Sequence, residues 1–121
     1  MVVPYTLAIS YQRYIRGPIN ANTFRIYNVR MKFTWSETKR AANIKAHGID
    51  FLDAGSVFGG VTFTFEDDRF AYSEQRFVTL GMLAGHPVSI VHTENEYEIR
   101  IISFRKTTKR ESQIYFDEIQ N

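Results

Sequence analysis

The stretch Arg76–Phe104, RFVTLGMLAGHPVSIVHTENEYEIRIISF, decides the fold. It holds three runs, RFVTLGML, VSIVHT and EIRIISF, separated only by AGHP and by a turn at Glu94-Asn95. Runs rich in Val, Ile, Thr and Phe and bounded by Gly, Pro and Asn read as strands. Connections this short join antiparallel neighbours, because a parallel pair needs a crossover of about a dozen residues or more. The last run is partly apolar on both faces, which suits a strand covered on both sides.

The pattern extends in both directions. Upstream, VTFTF (61–65) alternates and reads as a further strand, with Glu66, Asp67 and Asp68 in the connection after it. Before that come two helices. The first follows the short strand KFTW (32–35), with Ser36 as N-cap and Gly48 as the left-handed residue that stops it. Asp50 caps the second, which carries Asp53 in its first turn, turns Phe51, Leu52, Ala54, Val57 and Phe58 inward and stops at Gly59-Gly60. Downstream, Thr108 and Glu111 form a capping box for a closing helix with a stripe of Ser112, Tyr115, Phe116 and Ile119. The order β-α-α-β-β-β-β-α defines an α+β domain built on an antiparallel sheet.

Composition bounds the rest. A chain of 121 residues with 44% hydrophobic and 23% charged residues builds one core. No cysteine is present, which excludes a disulfide framework and a thiolate metal site and favours a reducing, cytoplasmic setting. No apolar run reaches membrane-spanning length. The net charge is +2, but residues 1–30 contain four arginines and no acid, so that +4 leaves −2 for the remainder. Global charge therefore says nothing about nucleic-acid binding, and local clusters must carry any such claim. Residues 1–30 also hold Pro4, Gly17-Pro18, Asn20, Asn22, Asn28 and four of the seven tyrosines, without sustained periodicity. They read as an N-terminal extension, a flexible arm or an early start, ahead of a domain over residues 31–121.

Three places carry polar groups that a core would not request. On the first helix Lys39, Asn43 and His47 fall in line, with Arg40 beside them. Glu74 and Arg76 share one face of the strand start. Arg100, Arg105, Lys106, Lys109 and Arg110 gather around the last strand and the start of the last helix. Cations there oppose the helix dipole by a few tenths to about 1 kcal/mol each, and the free N–H groups of a helix start favour anions. The chemistry nearest to this set is RNA cleavage without a metal: a group to take the 2′-hydroxyl proton, a donor for the leaving oxygen, and cations for the phosphate. His47, Glu74 and Tyr115 are the proton-exchanging candidates, and Arg76, Arg100, Arg105 and Lys106 the phosphate ones. Asn43 and His47 have an alternative role, fastening the helix to the sheet through hydrogen bonds. His86 reads as solvent-exposed and His92 as structural. No spacing suggests a metal site or a cofactor.

From Met31 onward the chain resembles the BrnT toxins of bacterial type II toxin–antitoxin systems. The stretches FTWSETKRAANIKAHGIDFLDAGSVF, SEQRFVTLG, VHTE and IRIISFRKTTKRESQIY carry the resemblance. Within them stand Trp35, Lys39, Asn43, Lys45 and His47-Gly48, then Glu74, Arg76 and Gly81, then Arg100, Ser103, Arg105, Lys106, Arg110, Glu111 and Tyr115. Phe104, Thr107 and Asn95 depart from the family pattern, Phe104 standing where a small residue is usual. The resemblance implies a compact RelE-like fold and a ribonuclease that inhibits translation. It also implies a BrnA-like antitoxin that masks the toxin and supplies the contact with operator DNA. On this basis His47, Glu74, Arg76 and Arg105 are the expected catalytic residues. Lys39, Lys45, Arg100, Lys106 and Arg110 are the expected RNA contacts. The competing reading is a non-catalytic module, or a decayed toxin, acting only as partner or co-repressor.

Overall fold

The computed structural model describes the backbone of residues 5–15, 24–69, 71, 73–95 and 97–120, and side chains from residue 32 onward within those ranges. Pro4 and the Gly17-Pro18 pair lie outside the described residues. Among the described residues there are six strands: β1 (Tyr5–Ile15), β2 (Phe24–Thr34), β3 (Val61–Glu66), β4 (Phe77–Leu83), β5 (His86–Glu94) and β6 (Glu98–Lys106). Helices α1 (Glu37–His47) and α2 (Ala54–Phe58) stand between β2 and β3, and α3 (Lys109–Gln120) closes the chain.

The strands β3 to β6 form the expected antiparallel meander. Around it the sheet is mixed. β2 runs parallel to β6 over Lys32–Thr34, and β1 pairs antiparallel with β2 and parallel with β3, which closes a barrel in the order β1-β2-β6-β5-β4-β3. The parallel junction arises because α1 and α2 form a long connection that carries the chain from β2, beside β6, to β3 on the far side.

Three local readings need correction. Of KFTW, residues 32–34 are the end of a longer strand that starts at Phe24, and Trp35 lies just beyond it. The second helix divides into a 3-10 turn over Phe51–Asp53 and α2, which leaves Leu52 43% exposed rather than inside. The β4–β5 turn is only Ala84-Gly85, both at positive φ, so His86 and Pro87 already belong to β5. Positive φ at both central residues makes the turn twist with the strands it joins.

Two cores flank the sheet. On one side Phe33, Trp35, Phe51, Val57 and Phe58 meet Val88, Ile90, Ile99, Ile101 and Phe104. Gly81 permits this closeness: a Cβ there would stand 2.6 Å from Val57 Cγ1. On the other side Tyr115 of α3 covers Phe63, Val78 and Leu80. His92 is fully buried, its Nε2 2.7 Å from the Thr79 hydroxyl, which in turn lies 2.7 Å from that of Thr64. This confirms His92 as structural. Phe104 is also fully buried, so that departure from the family pattern alters the core and not a groove.

Candidate functional site

The caps that fix α1 are the expected ones. Ser36 Oγ accepts from the Lys39 N–H, and Gly48 at φ 70° returns its N–H to Ile44 O. α1 nevertheless buries one residue, and it is polar. Asn43 Nδ2 donates to Ile49 O at 3.0 Å and to Phe104 O at 2.8 Å, and its Oδ1 accepts from the Phe104 N–H at 3.1 Å. Both peptide groups of Phe104 thus turn away from β5, and β2 pairs with β6 only as far as Arg100. The Asn43 amide therefore satisfies a stretch of strand edge that no strand covers.

Arg40 is a second fastener. Its Nε and Nη2 donate to the two carboxylate oxygens of Asp50 at 2.7 and 2.8 Å, and Nη1 donates to Glu37 at 3.2 Å. The Arg40 hydrogen bonds outweigh burial and hold the Asp50 carboxyl below its ordinary range, and the same pair raises the Arg40 guanidinium. Lys39, Lys45 and His47 point outward and are exposed. Lys39 and His47 line an open hollow of about 310 Å³ with Ala42, Asn43, Ala46 and Ile102.

The remaining candidates gather elsewhere. Glu74 Oε1 accepts a hydrogen bond from Arg100 and lies 3.7 Å from Arg76 Nη2, so one carboxylate sits between two guanidiniums. Arg105 reaches Glu111 through two bonds, at 2.8 and 3.1 Å. Glu111 also accepts from the Thr108 N–H at 2.8 Å, and Thr108 Oγ1 accepts from the Glu111 N–H at 3.2 Å, which is the expected capping box. Burial pushes the Glu111 carboxyl up, but the bonds from Arg105 and Thr108 outweigh it and hold the group below its ordinary range.

A single irregularity makes this assembly possible. Arg100 and Arg105 are five residues apart, so regular alternation would place them on opposite faces. The register steps from Val91 opposite Ser103 to His92 opposite Ile101, which leaves Ile102 as an extra residue. That bulge restores the phase, and both arginines emerge on the face that carries α3. Nothing in the alternation of EIRIISF announces it. Nor did sequence reasoning reveal that Glu111 holds Arg105, although the capping box had already placed Glu111 beside the helix start.

The structure thus brings together Glu74, Arg76 and Arg100, with Arg105 on the same face of β6, and places His47, Lys39 and Lys45 on α1. Lys106 and Arg110 are exposed near the start of α3. Tyr115 is not a site residue. It is 2% exposed, its hydroxyl donates to Val61 O at 2.8 Å, and burial raises its pKa. Below the Glu74 cluster lies a hollow of about 320 Å³ that runs to Glu66, Asp67 and Asp68.

The arrangement offers phosphate-sized cation pairs around a carboxylate, a disposition suited to a phosphodiester. A family model described as "Ribonuclease toxin, BrnT, of type II toxin-antitoxin system" matches residues 35–111. No curated protein matches the chain at a significant level.

Proposed function

Because the chain belongs to the BrnT family of ribonuclease toxins of type II toxin–antitoxin systems, we propose that it is a metal-independent endoribonuclease that inhibits translation in the cytoplasm and is neutralised by a BrnA-like antitoxin. The observation that carries this reading is the carboxylate of Glu74 held between Arg76 and Arg100, on the sheet face that also presents Arg105. Guanidiniums aimed at a phosphodiester supply the charge stabilisation that a metal would otherwise give. When a phosphate displaces Glu74 from the two arginines, the carboxylate is released beside the 2′-hydroxyl and takes its proton as the oxygen attacks phosphorus; the P–O5′ bond breaks as the 2′,3′-cyclic phosphate closes, and the leaving 5′-oxygen takes a proton from water. Lys106 and Arg110 extend the cationic track. Lys39, Lys45 and His47 form a second contact surface on α1, for RNA or the antitoxin, and operator DNA is reached only through the antitoxin.

Purified protein should cleave RNA in EDTA, and Arg100→Ala or Arg105→Ala should lower the rate by about 10²–10³, the loss seen on removing one transition-state donor. Cleavage that requires a divalent ion would overturn the metal-free mechanism. A second reading has its own support: every arginine of the cluster already holds a carboxylate, as suits a binding module and co-repressor. Overexpression without harm to growth would favour it. We further propose residues 31–121 as the functional unit, since this span contains the whole of the family match over residues 35–111. Met31–Asn121 should then cleave RNA as the full chain does.

A further inference from the structure

A smaller hollow, of about 170 Å³, lies beside the Arg105–Glu111 pair and shares Glu66, Asp67 and Asp68 with the hollow below Glu74. Its walls include Phe65, Val78 and Val91, which are apolar. Four carboxylates line it, Glu66, Asp67, Asp68 and Glu111, against two guanidiniums, Arg69 and Arg105. Asp67 is taken by Arg69, at 2.8 and 3.0 Å, and Glu111 by Arg105, so the excess is acceptor groups. Ser89 completes the lining. It stands directly across the ladder from Arg105, is 1% exposed, and its Oγ has no hydrogen-bond partner among the described residues.

That hydroxyl is the informative group. Buried hydroxyls are almost always bonded, and one left unbonded lowers stability. Alanine in its place would remove the penalty without a cavity of any size. The hollow therefore keeps a polar group ready on an otherwise apolar wall. A phosphate does not suit it, because the surplus carboxylates repel anions. A flat ring with apolar faces and an N–H edge does suit it.

We propose that this hollow receives a nucleobase that carries an exocyclic amino group, adenine, cytosine or guanine rather than uracil, with the Ser89 hydroxyl bonded to the base edge. The inference rests on RNA being the substrate. The pocket adjoins the Glu74–Arg76 hollow, so the base would belong to a nucleotide next to the cleaved phosphate. The amino group donates to the surplus carboxylates. Uracil presents a carbonyl oxygen where those bases present the amino group, and the partial negative charge on that oxygen is repelled by the carboxylates.

The test is calorimetric titration of the full chain with the 3′-monophosphates of adenosine, cytidine, guanosine and uridine. At least one amino-bearing nucleotide should bind about fivefold or more tighter than the uridine compound, the worth of about one good hydrogen bond. Glu66→Gln with Asp68→Asn, which neutralises the two lining carboxylates that Arg69 and Arg105 do not hold, should bring that ratio to within about twofold, and Ser89→Ala should weaken the amino-bearing nucleotides severalfold with the melting temperature equal or higher. Ser89→Val, which also fills space, should weaken the amino-bearing nucleotides at least as much. Equal affinity for all four, a ratio that survives the carboxylate double variant, or amino-bearing affinity untouched by Ser89→Ala would overturn the proposal, as would an arginine or lysine side chain of a protein partner found to fill the hollow instead. RNA cleavage measured on the same samples separates the two readings. Discrimination among nucleotides without RNA cleavage would leave the pocket standing and remove the ribonuclease mechanism, and cleavage without discrimination would do the reverse.

Discussion

The helices α1 and α3 are nearly equal in length and are docked by opposite means. α3 lays Tyr115, Ile114 and Ile119 on Phe63, Val78 and Leu80, an apolar stripe on an apolar sheet face. α1 buries only Asn43 and is fastened by that amide and by the Arg40–Asp50 pair. The difference matters for function. A helix docked by its apolar stripe spends its side chains on the core. A helix docked by two polar fasteners leaves its alanines, Lys39, Lys45 and His47 on the surface, available to another molecule.

The largest expected effects test whether the two fastenings are equal in weight. Tyr115→Ala removes a buried aromatic side chain and should lower stability by about 3–5 kcal/mol. Asn43→Ala removes three hydrogen bonds and strands one N–H and two C=O groups, at about 1–3 kcal/mol for each buried group left unbonded. Partial access of water to the emptied site makes a total near that of Tyr115→Ala the expected result in urea unfolding. A loss below about 1 kcal/mol, the worth of a single bond, would mean that α1 is held by something other than Asn43.

Acid should act on both helices, for different reasons. Asp50 fastens α1 through Arg40, and Glu111 caps α3 while holding Arg105; both carboxyls titrate below their ordinary range in the folded chain. A carboxyl depressed on folding contributes stability that is present above its unfolded pKa, about 3.9 for Asp and 4.3 for Glu, and is lost as pH falls through the folded value. Urea midpoints should therefore be level above about pH 5 and fall below about pH 4. Asp50→Asn and Glu111→Gln should each flatten part of that fall, and the two flattenings should add, because the sites share no partner. A fall that is unchanged in both variants would assign the acid response to other groups.

These two fastenings also show where a sequence can be read and where it cannot. Ser36, Gly48, Asp50 and the Thr108–Glu111 box were legible because capping depends on residues three or four apart. The meander was legible because its turns are short and its strands alternate. The role of Asn43 was legible only as one of two alternatives, since its partner Phe104 is 61 residues away. The phase shift at Ile102 left no trace, because an inserted residue in a strand that is apolar on both faces does not disturb any pattern. The grouping of Arg100 with Arg105 depends on that shift. The unbonded hydroxyl of Ser89 was likewise invisible: a serine in a strand carries no sign of whether its neighbours satisfy it.

The smallest expected effect is the sharpest test of what the polar fastening of α1 is for. Lys39 and His47 stand one turn to either side of Asn43 on the same line of α1, exposed at the hollow beside Ile102, and Asn43 and Arg40 make the bonds that hold the helix. The double variant Lys39→Ala, His47→Ala should leave stability within about 0.5 kcal/mol, as exposed substitutions away from caps and buried bonds generally do. Its helix content should be unchanged, because alanine is the best helix former. Binding should respond instead. If the face meets RNA, affinity should fall and its dependence on salt should become shallower, each lost phosphate contact removing roughly one unit of the slope. If the face meets the antitoxin, RNA cleavage should persist while neutralisation weakens. A double variant that unfolds early would show His47 to be a fastener like Asn43, and this line of α1 would then be no more available to a partner than the face of α3 that lies on the sheet.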